Sequence, residues 1–178
     1  MKFLSRSLLL GILIGVGGLL AYEGVMHGTS TDAFCVSCHE MEQPYAALQR
    51  TAHAVNARGT SAGCSDCHIP REFGPKILRK IEASREVWGH LTGLIDTPEK
   101  YAAHRQHMRD REIGRLRDND SQECRNCHEL ERMDFAAQDR AVRRYHRAID
   151  QRGKTCIDCH SGIAHPSQPA DGTALAGG

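Results

Sequence analysis

All eight cysteines of this chain fall in pairs of one spacing, and a histidine follows every pair. The four segments are Cys35-Val36-Ser37-Cys38-His39, Cys64-Ser65-Asp66-Cys67-His68, Cys124-Arg125-Asn126-Cys127-His128 and Cys156-Ile157-Asp158-Cys159-His160. Zinc ribbons also use Cys-x-x-Cys pairs, but with about 15–20 residues between them. Here the gaps are longer. Histidine is 11 of 178 residues, so four such followers by chance come to about one in 10⁵. A thioredoxin-like redox pair needs a βαβ setting that this sequence lacks. Four disulfides would leave the histidines unexplained. Covalent haem attachment explains all three elements at once. The two thiols add to the haem vinyl groups, the short spacing sets both sulfurs on one ring edge, and the adjacent histidine is held beneath the iron. The expectation is four covalently bound c-type haems on Cys35, Cys38, Cys64, Cys67, Cys124, Cys127, Cys156 and Cys159, with His39, His68, His128 and His160 as proximal ligands.

Composition agrees. Aromatic residues are 5% of the chain and mean hydropathy is negative, lean for a polypeptide that must build its own core. Small domains with thin cores draw stability from metals, disulfides or cofactors. The net charge of +1 comes without a basic block, so nucleic acid is not an expected partner. Beyond residue 26 the acidic and basic residues balance, at 21 each. Haem propionates would tip that surface acidic, which bears on docking.

Phe3 to Met26 is apolar enough to span a bilayer, which takes about 20 residues. Lys2 and Arg6 precede it, so the N-terminus is expected in the cytoplasm and the remainder in the bacterial periplasm, on a single-pass inner-membrane protein. A cleaved signal peptide is the rival reading, but Ala21-Tyr22-Glu23-Gly24-Val25-Met26 offers no small-x-small cleavage site. Gly11-x-x-x-Gly15 permits close helix packing and a homo-oligomer. The expected organisation is an anchor over 1–27, a tetrahaem domain over 28–166 and a disordered tail over 167–178.

The motifs repeat as two dihaem units. Cys35 to Cys64 spans 29 residues and Cys124 to Cys156 spans 32. The first motif of each half continues as Cys-His-Glu followed by Met or Leu. A helix-like stretch with Ala-Ala comes next, and then a lone histidine, His53 or His146. The insert, 69–123, reads as helical, with Ile77, Ile81, Trp88 and Leu91 at helical spacing. Thr97-Pro98-Glu99 looks like a capped helix start that runs in charged sequence to about Leu116. A further helix is expected from about Arg132 to Asp150, with Val142, His146 and Ile149 on one face and Gly153 near its end. The fold class is therefore mainly α and irregular: one transmembrane helix plus a haem-cored domain.

Seven histidines lie outside the motifs. His53, His146 and His165 are the candidates for the distal face of a haem, the first two on apolar helical faces and the third in a tight segment after His160. His104 and His107 sit in charged sequence and are expected in solvent; His27 has no clear role. Three distal histidines for four haems leave one iron short. The haem of Cys35 and Cys38 is the candidate, because its motif follows the anchor closely and so sits at the lipid interface. Met41, two residues after His39, could ligate that iron or simply pack.

The anchor, the four motifs, Cys35 through Met41, Gly93 through Thr97, Glu123 through His128 and Thr155 through His165 resemble the NapC/NirT family of membrane-anchored tetrahaem quinol dehydrogenases. The likeness covers about residues 5–166 and leans towards the NapC branch, which passes electrons from quinol to periplasmic nitrate reductase; the NrfH branch serves nitrite reductase. The resemblance implies Met41 on the first haem iron and Asp96 on its open side. It pairs His53 with His128, His165 with His68 and His146 with His160. Lysine is common in relatives where His90 stands, and a histidine where Arg71 stands. Quinol oxidation also needs a proton acceptor. Asp96 could serve if partial burial raised its pKa; His90 could serve as an imidazole titrating near neutrality; or Asp96 merely turns the chain into the helix at Thr97. A catalytic multihaem reductase and a passive electron shuttle are the alternatives in other classes.

Overall fold

The computed structural model describes residues 2–56 and 59–166, and the expected tail lies outside them. Among the described residues the architecture is helical, with no strand. Helix α1 spans Lys2–Gly28. From Ser5 to Gly28 it is long and apolar enough to cross a membrane, and none of it is buried in the protein. That suits a membrane anchor: 24 residues at about 1.5 Å rise reach roughly 36 Å.

Short helices then carry the motifs. Helix α2 is Asp32–Cys35, α3 Glu42–Leu48 and α4 Cys64–His68. Two longer helices follow, α5 over Phe73–Leu91 and α6 over Pro98–Asp118. The chain closes with α7 at Gln122–Arg125, α8 at Arg140–Arg147 and α9 at Cys156–His160.

The sequence repeat has a hydrogen-bonding basis. In each half, the residue three before the first cysteine reaches the start of the next motif. Asp32 accepts from the Cys64 amide at 2.8 Å, and Ser121 accepts from the Ile157 amide at 3.2 Å. The second motif of each half carries aspartate as its third residue, and that carboxylate folds back on the helix start. The Gly63 amide donates to Asp66 and the Thr155 amide to Asp158, both at 2.9 Å. Such carboxylate caps satisfy amides at the helix start that would otherwise be left free. At Gly63 a Cβ would lie 2.7 Å from Asp32 Oδ1, so a larger residue would have to push that carboxylate off the Cys64 amide.

Helix α6 is the spine. Thr97 caps it as expected, accepting from the Lys100 amide, with Pro98 in its first turn. Its charged residues do not simply face water. Glu112 and Arg115 grip the second motif, Arg117 pairs with Asp158 of the fourth, and Arg109 reaches the Ser161 carbonyl.

The end of α5 is a helix stop built on Gly93. Its φ is +73°, the left-handed region that glycine enters without steric cost. The Leu94 amide returns to the Gly89 carbonyl and the Gly93 amide to the His90 carbonyl, the paired bonds of a Schellman motif. Ile95 then packs, buried, on Gly89. The turn delivers Asp96 and the α6 cap.

Two helical expectations are corrected. The helix expected over residues 132–150 is only Arg140–Arg147. Asp134 stops an earlier start by accepting from the amides of Ala136 and Ala137, and Asp139 caps the real one through the Ala141 amide. Ile149 therefore falls beyond α8, and Val142 is exposed. His53 is likewise in a turn beyond α3, which tightens at its end through the Arg50-to-Ala47 and Thr51-to-Leu48 bonds.

Candidate functional site: four facing imidazole pairs

The apolar core is thin. Among the described residues, the buried hydrophobic side chains are Leu48, Ile95, Tyr101, Leu116 and Ile157. What the fold gathers instead is imidazole. His53 faces His128 with ring centroids 6.0 Å apart, His68 faces His165 at 6.1 Å, His146 faces His160 at 6.1 Å, and His39 faces His90 at 6.0 Å. Every motif histidine has one partner from outside the motifs.

The spacing fits a metal held between two rings. Two in-line metal–nitrogen bonds of about 2.0 Å separate the nitrogens by about 4 Å, and each ring centre lies roughly 1 Å further back. Ordinary aromatic pairs also fall in this distance range. Ordinary packing gives no reason for four pairs, each matching one motif histidine with one other. The eight cysteines group by halves. Cys35 lies within hydrogen-bond reach of Cys64, and Cys124 of Cys156. A thin core, cysteines gathered in pairs and facing imidazoles fit covalent haems.

The electrostatics also suit ligation, which requires neutral imidazole. Burial, then the nearby His128, pulls His53 below the usual histidine range. Burial does the same to His165, with His68 adding to it. The outward ring nitrogens have partners of different kinds. His68 Nδ1 lies 2.9 Å from Glu112, His146 Nδ1 lies 2.9 Å from Gln138 Oε1, and His90 Nδ1 lies 2.5 Å from Glu40. Burial pushes Glu112 up, but hydrogen bonds and charge from His68, Arg115 and Arg79 outweigh it and hold the carboxyl well below the usual range. Burial opposes ionisation of Glu40 too, and the His90 hydrogen bond leads the effects that bring it below that range.

The fourth pair differs from the sequence expectation. With three distal histidines one iron is expected to fall short, and His90 is expected only as an alternative to Asp96 in taking a proton. In the structure the last turn of α5 turns His90 towards His39. Met41 is half-buried in the turn that follows, with its amide on the Cys38 carbonyl at 3.0 Å. The missed signal was the Glu40–His90 link, invisible at a separation of 50 residues. Asp96 also differs. It is half-exposed rather than enclosed, and the Lys100 ammonium 2.7 Å away holds its carboxyl below the usual range, so the raised pKa expected of it is not found and a role as proton acceptor rests on its position. His104 bonds the Lys100 carbonyl, while His107 and His27 are exposed.

An all-helical chain with four Cys-x-x-Cys-His segments, each histidine facing a second imidazole, defines a multihaem c-type cytochrome. Comparison with known proteins narrows the class. Residues 1–170 match the NapC/NirT cytochrome c family, N-terminal region, and the chain belongs to that family. It is 47% identical over 157 residues to cytochrome c-type protein NapC of Haemophilus influenzae, covering 86% of this chain and 78% of that one. It is 43% identical to the denitrification system component NirT of Stutzerimonas stutzeri, covering 91% and 81%. It is 40% identical to cytochrome c-type protein TorY of Escherichia coli O157:H7, covering 89% of this chain but 43% of that longer one. No solved structure matches the chain.

Proposed function

We propose that this protein is a membrane-anchored tetrahaem cytochrome that oxidises quinol and passes the electrons to a soluble periplasmic reductase. The observation that carries this reading is the set of four imidazole pairs, 6.0–6.1 Å apart, on a chain headed by an apolar helix. His39 and His90, His68 and His165, His128 and His53, and His160 and His146 would hold the four irons. Bound there, the haems supply one-electron redox chemistry that side chains lack. The protein's own part is to fix ring orientation through Glu40, Glu112 and Gln138, to lower the pKa of His53 and His165 by burial, and to hold a carboxylate, Asp96, where a quinol proton can be taken.

Four pairs argue against the catalytic-reductase alternative, since a reductase needs an iron with a free coordination position facing substrate. The apolar helix argues against a free shuttle. Lys2 and Arg6 before the span favour a cytoplasmic N-terminus. Periplasmic nitrate reductase is the favoured acceptor, because NapC relatives, at 47%, stand ahead of the NirT and TorY relatives in identity.

Two measurements test the reading. The native protein should fractionate with membranes and resist extraction by high salt; recovery in the soluble periplasm would defeat the anchor. Intact mass should equal the polypeptide plus four haems with no free thiol. Electron paramagnetic resonance of the oxidised protein should then show four low-spin haems. A mass of bare polypeptide with zinc would overturn the haem assignment, and a high-spin haem in the resting protein would overturn the fourth pair.

A further inference from the structure

The four imidazole pairs differ in what stands behind them. His90 is backed by Glu40, whose side chain is 1% exposed. The only ion-pair partners of Glu40 among the described residues are His39 and His90 themselves. His68 is also backed by a carboxylate, but Glu112 is matched by Arg79 at 3.1 Å and Arg115 at 2.8 Å. His146 is backed by the neutral amide of Gln138. The outward nitrogen of His53 is buried and has no hydrogen-bond partner. Only the first pair therefore carries a buried negative charge with no arginine or lysine beside it.

From this difference we infer that Glu40 is a positioning residue that fixes His90 and gives the haem of Cys35 and Cys38 the lowest reduction potential of the four. The inference rests on His90 being a ligand of that iron, as proposed above. The physical argument is general. A carboxylate that accepts the Nδ1 proton orients the ring and makes the other nitrogen a stronger donor. A stronger donor and a nearby negative charge both favour the oxidised iron, which carries one more positive charge than the reduced form. Low dielectric around a nearly inaccessible carboxylate enlarges the effect, while the arginines around Glu112 cancel most of it there. The pair nearest the anchor in sequence would then pass electrons downhill to the other three, whose outward nitrogens have compensated, neutral or no partners.

The test is a redox titration of the full-length holoprotein in detergent, followed by optical and paramagnetic resonance spectra. Glu40→Gln retains the shape and the acceptor oxygen but removes the charge. It should raise the midpoint of one haem by at least tenfold in its oxidised-to-reduced ratio, about 59 mV for a one-electron couple. The other three should move by less than about threefold, and all four should stay low-spin. Glu40→Asp keeps the charge and should recover most of the low midpoint. His90→Ala separates the two readings, since it should turn one haem high-spin. The component it removes from the low-spin set should be the lowest-midpoint one in the wild-type protein. Unchanged spin states in His90→Ala would defeat the ligand assignment itself. A high-spin haem in His90→Ala with an unmoved midpoint in Glu40→Gln would defeat the role of Glu40 alone. That role also fails, whether or not Glu40→Gln assembles, if the haem lost from the low-spin set is not the lowest one.

Discussion

Asp96→Asn should keep all four haems attached and low-spin, while quinol oxidation falls by about a hundredfold or more, the size of effect that a positioned proton acceptor contributes. Asp96 is suited to this by where it stands. The Gly93 turn brings it back alongside the last turn of α5, which carries His90, and His90 faces His39 of the first motif. The Lys100 ammonium bonds both the Asp96 carboxylate and the Gly93 carbonyl at 2.7 Å, so the turn and the carboxylate are held as a unit. Asparagine preserves the shape of the turn and removes the base. A companion change reads the electrostatics. Lys100 lowers the pKa of Asp96, so Lys100→Met should raise it. A base is lost as pH falls through its pKa, and the acid limb of quinol oxidation in Lys100→Met should therefore move to higher pH. Wild-type rates in Asp96→Asn would mean that the proton leaves by another route.

What the sequence makes legible here is whatever is local. The motifs are contiguous, so the proposed haem attachment and the proximal role given to their four histidines rest on local sequence. The Thr97-Pro98 start of α6 is a local capping signal and is where it was expected. The spacing repeat is also local, and the Asp66 and Asp158 caps give it a physical reason. What could not be read depends on side chains brought together from far apart. His90 lies 50 residues from Glu40, and nothing in its neighbours distinguishes it from a solvated histidine. The long helix expected around His146 failed for a different reason. Asp134 and Asp139 compete for backbone amides and divide the stretch, and apolar periodicity is blind to such local hydrogen bonds. Charge in α6 is no better a guide. The sequence shows a strongly charged helix, and nothing in it tells that Glu112 and Arg115 are turned inward to clamp a motif.

That clamp carries a large expected effect on stability. Arg115 donates to Glu112 at 2.8 Å, to Glu123 at 2.5 Å and to the Cys67 carbonyl at 3.1 Å. Glu123 directly precedes the third motif and is buried, while Cys67 belongs to the second. One guanidinium thus ties the two halves of the haem domain together. Arg115→Met preserves much of the volume but leaves Glu123 with Asn119 as its remaining hydrogen-bond donor, at 2.8 Å. Removing one member of a buried charge network costs about 3–5 kcal/mol. The lower end, about 3 kcal/mol, is expected because Arg79 and His68 still serve Glu112. In a chain of this size that corresponds to a fall of about 6–12 °C in melting temperature. Arg117→Met is the contrast. Arg117 also bridges to a motif, pairing with Asp158 at 2.7 Å, but its side chain is 54% exposed. A pair with one partner this exposed to solvent contributes little, so its melting temperature should fall by clearly less than that of Arg115→Met. Equal shifts in the two variants would mean that burial of the Arg115 network contributes nothing, and that the halves are held together by their haems alone.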